Sequence, residues 1–248
     1  RQFVRRLPPG MHTAGFTLGH VILGQTAAGL DYAAKHERVH VRQFERALAD
    51  WLGVGHAVMV NSGSSANLIL VDSLLRRTDP AAVRLQPGDE VLVPALSWPT
   101  TIWPIVQLGL VPVYVDIELD TLGLSLAEAE AALSPRTKAL FLIHPLGRAC
   151  DMTAFREFCE RHGLTLIEDC CESLGAFHAG QHVGTFGHGG TLSFYFSHHL
   201  TTIEGGCVVT PDAALADDLR SLRAHGWLRD RSDKDIFASR SPDLDPRF

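Results

Sequence analysis

Residues 193 to 206, SFYFSHHLTTIEGG, join two short apolar runs in the second half of the chain. The two runs are TLSFYF at 191–196 and CVVT at 207–210, and each has the length of a buried β-strand. Strands that are buried on both faces have nearly continuous apolar sequence, which is typical of parallel sheets. Five similar runs come earlier in the chain: HAVMV (56–60), EVLVP (90–94), VPVYVD (111–116), ALFLIH (139–144) and LTLIED (164–169).

Helical segments alternate with these runs. ANLILVDSLLRR begins at Ala66, and LAEAEAAL begins at Leu126 behind Ser125, a residue type that caps helices. The alternation predicts an α/β fold with a mostly parallel, seven-stranded sheet and helices on both faces. In open sheets of this kind, ligands bind beyond the carboxyl ends of the strands. Four polar motifs are predicted there, at 61–66, 94–101, 169–172 and 193–199.

The composition is that of an ordinary globular protein. Of 248 residues, 46% are hydrophobic and 20% are charged, and the net charge of −6 gives no electrostatic footprint for nucleic acid or for a membrane surface. We therefore expect a cytoplasmic protein with no nucleic-acid or membrane partner. The five cysteines are scattered and lack the paired spacing of a zinc site, so we expect reduced, buried thiols and no metal.

Single motifs leave their roles open. The segment from Asn61 to Ala66 opens a helix and suits a phosphate, but a plain helix cap uses the same residues. Asp169 ends an apolar strand and could be a helix cap, an ion-pair partner or a functional carboxylate. Trp98 precedes Pro99, where an aromatic residue usually packs. An isolated His198-His199 pair is more often a surface or hydrogen-bonded feature than a catalytic one.

Together, these motifs resemble the sugar aminotransferases of the DegT/DnrJ/EryC1/StrS family, which use pyridoxal phosphate (PLP). In that family the pattern S-F-x-x-x-K-x-x-x-T-x-E-G-G carries a lysine that binds PLP covalently. His198 stands at the lysine position here, and its doublet with His199 resembles the dehydratase branch of the family. The resemblance implies an aspartate-aminotransferase-like large domain, PLP fold type I.

The resemblance also implies a set of site residues. Asp169 would pair with the pyridine nitrogen, and Trp98 would stack on the ring. Glu172 would lie near the phenolic oxygen, where aminotransferases of the family usually have Gln or His. His225 would reach an active site, its own or that of the partner subunit in a homodimer, although an exposed helix-end histidine fits equally well. The phosphate cup would comprise Gly63, Ser64, Ser65 and Ser193.

Histidine in place of lysine implies a different reaction. The sequence has only Lys35, Lys138 and Lys234, and none lies in a motif that suits the missing amine. Imidazole cannot capture PLP, so the working cofactor would be pyridoxamine phosphate (PMP), held without a covalent bond. With an ordinary pKa of about 6.5, imidazole can accept and return a proton near neutral pH.

The implied activity is 3-dehydration of a nucleotide-linked 4-keto-6-deoxyhexose, with His198 as the acid and base. The product is a 3,6-dideoxy-4-keto sugar for lipopolysaccharide O-antigen or a related glycan, and glutamate would be the amino donor. Three alternatives stay open: a nucleotide-sugar aminotransferase, an enzyme like the iron–sulfur CDP-4-keto-6-deoxyglucose 3-dehydratase, and an inactive PLP-binding homologue. The lysine inventory disfavours the first, and the absence of cysteine after position 207 disfavours the second.

Three regions are predicted along the chain. Residues 1–50 form an N-terminal arm and a helix, and residues 51–228 form the PLP-binding large domain. Residues 229–248 are charged and rich in turn formers, so we expect a connector. By the resemblance it would lead into a small C-terminal domain that this chain lacks.

Overall fold

The computed structural model describes the backbone of residues 27–236 and the side chains of residues 40–236. The predicted arm lies outside the described residues, as does the end of the predicted connector. The helices are α1 (Ala27–Leu52), α2 (Gly63–Leu75), α3 (Pro99–Gln107), α4 (Leu126–Ala131), α5 (Met152–His162) and α6 (Ala213–Leu222). The strands are β1 (His56–Val60), β2 (Glu90–Pro94), β3 (Val111–Val115), β4 (Thr137–Ile143), β5 (Thr165–Asp169), β6 (Phe177–His178), β7 (Gln181–His182), β8 (Gly189–Ser193) and β9 (Gly206–Thr210).

Seven strands form one sheet in the order β1-β9-β8-β5-β4-β2-β3. Strand β9 is antiparallel to both of its neighbours, and every other pair of neighbours is parallel. This confirms the predicted α/β fold and its mostly parallel, seven-stranded sheet. Strands β6 and β7 form a separate hairpin that was not predicted, because two-residue strands carry no periodicity to detect.

Alternate residues of the strands pack against helices on opposite faces of the sheet. In β1, Val58 packs in a cluster with residues of α2, α3 and α6, whereas Ala57 and Met59 pack against Phe44 and Leu48 of α1. Such alternation follows from the pleat of a strand, which points successive side chains to opposite faces. The helix α5 covers the same face as α1, farther along the sheet. The prediction of helices on both faces is therefore confirmed.

The polar motifs meet at one end of the sheet, where the central parallel strands have their carboxyl ends. Strand β5 ends at Asp169, and β8 ends at Ser193. Because β9 is antiparallel to β8, its first residue, Gly206, pairs with Ser193 and also with Val60 at the end of β1. The strand ends thus bring together residues that are more than a hundred positions apart in the sequence.

The structure contains no helix long and apolar enough to cross a membrane within the residues that it describes. The bounds of the three predicted regions stay a prediction, although α1 begins at Ala27 and ends at Leu52.

All five cysteines are free thiols, and four of them are buried. Burial raises the pKa of Cys150 and of Cys159 to about 12, and it raises the pKa of Cys170, Cys171 and Cys207 well above the ordinary range. Since the thiolate is the reactive form, we expect the native protein to react with less than about one equivalent of a disulfide reagent at pH 8. All five thiols should titrate in denaturant. Rapid reaction of several thiols in the native protein would contradict this prediction.

Candidate functional site

A buried carboxylate lies at the centre of the candidate site. Asp169 is only 7% exposed and ends β5. Its Oδ2 accepts hydrogen bonds from Asn67 Nδ2 at 2.9 Å and from Thr101 Oγ1 at 2.7 Å. Its Oδ1 accepts the backbone N–H of Cys171 at 3.0 Å. A carboxylate offers about four lone pairs, so these three donors leave one acceptor position, beside which lies the thiol of Cys171, a weak donor.

Beside this carboxylate, helix α2 begins with a capped N-terminus. Ser62 is its N-cap, and the hydroxyl of Ser62 accepts the backbone N–H of Ser65 at 3.1 Å. The first N–H groups of a helix have no partner inside the helix, and the helix dipole places partial positive charge there. The N-terminus of α2 is therefore suited to an anion such as a phosphate.

Glycine is required where other segments approach this N-terminus. A Cβ atom added to Gly63 would lie 2.6 Å from Cβ of Ser193 and 2.8 Å from Sγ of Cys171. A Cβ atom added to Gly206 would lie 2.2 Å from the backbone carbon and oxygen of Ser62. The start of β9 thus packs against the backbone at the start of α2, and the side chain of Ser193 at the end of β8 lies against Gly63.

His198 lies in the segment that connects β8 to β9. Backbone hydrogen bonds fold this segment back on itself: Phe194 N donates to Gly205 O, and Thr202 N donates to Phe194 O, both at 2.9 Å. The ring of His198 is half-buried and packs edge-on to Tyr195, with the ring centroids 6.0 Å apart. Among the described residues nothing hydrogen-bonds its buried Nδ1. Buried polar atoms are normally paired, and the side-chain atoms that share this condition in the described structure are Arg77 Nε, Ser173 Oγ and His182 Nδ1.

The remaining predicted site residues are exposed or partly exposed. Trp98 is 69% exposed and is the N-cap of α3, so it does not pack in the core as an isolated tryptophan would be expected to do. Glu172 is exposed, and its Oε2 accepts the backbone N–H of Leu146 at 3.4 Å. Ser64 is exposed and Ser65 is half-buried on the first turn of α2.

The position of His225 is compatible both with a role in an active site and with an exposed histidine at a helix end. It is exposed after α6, with a φ of 61°, and its ring centroid lies 6.3 Å from that of Trp227. No hydrogen bond in the described part of the chain joins it to the other predicted site residues.

Three residues around Asp169 were missed by the sequence reasoning: Asn67, Thr101 and Thr191. Thr191 Oγ1 donates to Asn67 Oδ1 at 2.6 Å, so Asn67 connects β8 to the carboxylate. The available signal was a polar residue inside the apolar run of α2, where Asn67 is fully buried. A buried amide requires hydrogen-bond partners, although the sequence does not say which ones.

A second polar cluster, His144, Glu168 and Cys170, has metal-binding residue types and lies beneath the site. His144 Nδ1 accepts the backbone N–H of Cys150 at 3.2 Å, so Nε2 carries the ring proton and donates to Glu168 Oε2 at 3.1 Å. The carboxylate of Glu168 also accepts the backbone N–H groups of Gly184, Phe186 and Gly187. These hydrogen bonds use the candidate ligand atoms of His144 and Glu168, and burial raises the pKa of the Cys170 thiol well above its ordinary range. We therefore interpret the cluster as structural.

A cavity of about 470 Å³ lies at the other end of the sheet, where β1 begins. Its lining includes Arg42, Arg46, Arg220, Arg223, Arg229 and Arg231. Ion pairs occupy several of these side chains: Arg42 lies 3.1 Å from Asp230, and Arg223 lies 2.6 Å from Glu45. None of the predicted site residues lines this cavity, so it is separate from the candidate site.

The fold and the motifs at the strand ends indicate a family of PLP-dependent enzymes. Comparison with known proteins identifies that family. The family model for the DegT/DnrJ/EryC1/StrS aminotransferase family matches residues 34–241, so the chain belongs to this family. This confirms the resemblance read from the motifs.

Among its relatives are dehydratases of two kinds. The chain is 43% identical over 189 residues to GDP-4-keto-6-deoxy-D-mannose 3-dehydratase of Yersinia pseudotuberculosis, covering 76% of the chain and 47% of that relative. It is 45% identical over 193 residues to dTDP-4-dehydro-2,6-dideoxy-D-glucose 3-dehydratase of Saccharopolyspora spinosa, covering 77% and 41%.

Solved structures of the same branch superpose on the chain. One is the E. coli GDP-4-keto-6-deoxy-D-mannose-3-dehydratase with bound hydrated PLP, with a TM-score of 0.73 and 41% identity, covering 76% of this chain and 48% of that one. The chain thus spans about half the length of the relatives that it matches.

Proposed function

We propose that this protein catalyses the PLP- and PMP-dependent 3-dehydration of a nucleotide-linked 4-keto-6-deoxyhexose. The observation that carries the proposal is His198 at the position where family aminotransferases have lysine, with a buried Nδ1 that lacks a hydrogen-bond partner in the described structure. The relatives named as 3-dehydratases support the reaction type.

The candidate site fits the cofactor at both of its ends. Asp169 has one acceptor position left for the protonated ring nitrogen. At the other end, the N-terminus of α2, with Gly63, Ser64 and Ser65, and the hydroxyl of Ser193 would hold the phosphate. Trp98 presents an exposed indole that would stack on the ring, and Glu172 would lie near the phenolic oxygen.

When bound, PMP supplies an amine and a ring that accepts electrons. The role of His198 is to hold a proton and to donate it to the hydroxyl that leaves C3 of the sugar. Imidazole suits this role because its ordinary pKa, about 6.5, allows both protonation states near neutral pH. His198 is half-buried, so part of its side chain remains exposed.

The lysines of the described structure do not replace the missing amine. Lys138 lies near the start of β4, at the end of the sheet opposite Asp169, and is exposed. Lys234 is exposed in the segment after α6. The side chain of Lys35 lies outside the described residues.

The remaining parts of the proposal concern partners and setting. Glutamate would return the amino group, and the sugar product would lose ammonia to give the 3,6-dideoxy-4-keto sugar used in lipopolysaccharide O-antigen or related glycans. A cytoplasmic homodimer is proposed, in which His225 could serve the partner's site. Support for the dimer comes from apolar side chains that are exposed in the segments following the strands: Leu96, Trp103, Phe196 and Ile203.

The function is tested by incubating the full chain with PLP, glutamate and 4-keto-6-deoxyhexoses linked to GDP, dTDP or CDP. Mass spectrometry is expected to show a sugar that has lost the C3 oxygen and carries no nitrogen. A sugar that retains an amino nitrogen would establish the aminotransferase alternative. Unchanged substrate with all three nucleotides, despite bound cofactor, would contradict the dehydratase proposal for this chain.

A further inference from the structure

Asn67 is a buried amide whose hydrogen bonds connect four elements of the site. It lies in α2 and is fully buried. Its Nδ2 donates to Asp169 Oδ2 at 2.9 Å and to the backbone oxygen of Thr100 at 3.2 Å. Its Oδ1 accepts from Thr191 Oγ1 at 2.6 Å. The amide therefore connects the start of α3, the end of β5 and the middle of β8 to its own helix.

These partners determine which way the amide points. Thr191 donates to the amide oxygen, and the carbonyl of Thr100 can only accept, so the NH₂ group must face Asp169. Asp169 Oδ2 then meets two donors, from Asn67 and Thr101, and no competing acceptor. A side chain without donors at position 67 would remove one of the two donors to Oδ2, so the orientation of the carboxylate would depend on Thr101 and on the backbone N–H of Cys171 alone.

We propose that Asn67 is a positioning residue that fixes Asp169 so that its remaining acceptor position faces the ring nitrogen of the cofactor. The inference rests on the proposed function, and it names a residue that acts on the cofactor only through Asp169. Its contribution is therefore specific to the ring nitrogen and leaves binding of the phosphate end to α2.

The proposal is tested with two ligands on the full chain, PLP and its 1-deaza analogue, in which CH replaces the ring nitrogen. Quenching of tryptophan fluorescence gives both dissociation constants. In the parent protein the analogue is expected to bind about 10-fold more weakly, because a charge-assisted hydrogen bond is lost. In Asn67→Leu the ratio of the two constants is expected to fall to about 3, because Asp169 keeps two of its three donors but is oriented less well.

Two further variants separate positioning from folding. Ser73→Ala removes another fully buried polar group of α2, whose hydroxyl donates only to Leu70 O, and it should keep the ratio of the parent. Asn67→Asp preserves the size of the side chain but places a carboxylate against Asp169, so the ratio should fall to about one.

The outcomes distinguish this inference from the proposed function. If the parent binds neither ligand, the proposed function is overturned and this inference with it. If the parent discriminates between the ligands and both Asn67 variants discriminate equally well, the inference is overturned and the proposed function stands. Failure of both variants to fold, while Ser73→Ala folds, would also overturn it, because Asn67 would then be a structural residue.

Discussion

Replacing His198 by asparagine is expected to lower the turnover number for loss of the C3 hydroxyl by about 10²- to 10⁴-fold, the usual contribution of a general acid or base. Asparagine can still form hydrogen bonds, but it cannot take up and release a proton near neutral pH. The dissociation constant for PLP should change by less than about threefold, since Asp169 and the start of α2 do not depend on the imidazole. Product formation at saturating substrate, together with fluorescence titration of PLP, measures both quantities.

The neighbouring histidine provides a matched control. His199 is exposed and follows His198 directly, so His199→Asn makes the same chemical change one position away. Its turnover number should remain within about twofold of that of the parent, as for most surface substitutions. A large loss in His199→Asn with full activity in His198→Asn would contradict the assignment of His198.

The substitution His198→Lys tests whether an amine at position 198 can bind PLP covalently. A lysine there restores the family pattern, so borohydride reduction is expected to trap PLP covalently on the variant and not on the parent. Covalent trapping on the parent would show that another amine serves, and it would remove the argument from the missing lysine.

The sequence predicts the sheet well because each of its strands is a short apolar run that ends at polar or turn-forming residues. The run EVLVP coincides with β2, and HAVMV coincides with β1. Other predicted bounds shift: ALFLIH is predicted at 139–144, whereas β4 is Thr137–Ile143, and TLSFYF is predicted at 191–196, whereas β8 is Gly189–Ser193. After Ser193 the apolar residues belong to the segment that carries His198, so hydrophobicity alone could not mark the end of the strand.

The candidate site could be proposed from the sequence only where its residues form local motifs. Asp169 was proposed because it ends an apolar strand, and the N-terminus of α2 was proposed because serine and glycine follow β1. By contrast, the bond from Asn67 to Asp169 spans 102 positions, and the bond from Thr191 to Asn67 spans 124. Such pairs depend on strand order and helix packing, which a single sequence does not specify.

A single methyl group at Gly206 is expected to damage both the fold and the phosphate end of the site. The Cβ atom of Gly206→Ala would lie 2.2 Å from the backbone carbon and oxygen of Ser62 and 2.6 Å from the backbone nitrogen of Gly63. Those atoms belong to the cap of α2 and cannot rotate away as a flexible side chain could. We expect a loss of about 3 kcal/mol in the free energy of unfolding, at the upper end for overpacking, as measured by urea denaturation.

The same displacement should weaken phosphate binding specifically. PLP and pyridoxal share a ring but differ in the phosphate, so the ratio of their dissociation constants isolates the α2 end of the site. In Gly206→Ala this ratio is expected to fall by about 10-fold, because the helix N-terminus no longer points its N–H groups at the phosphate.

Gly123→Ala is the control for this experiment, because a Cβ atom there would meet only side-chain atoms, of Cys150 at 3.3 Å and of Thr121 at 3.4 Å. It should cost less than about 1 kcal/mol and leave the ratio of the two constants unchanged. Suppose that Gly206→Ala has the same free energy of unfolding as Gly123→Ala, and the same ratio of the PLP and pyridoxal dissociation constants as the parent. Then β9 does not pack tightly against the cap of α2. The phosphate would then have to be held by other residues, and Gly63 and Ser193 would lose their place in the site.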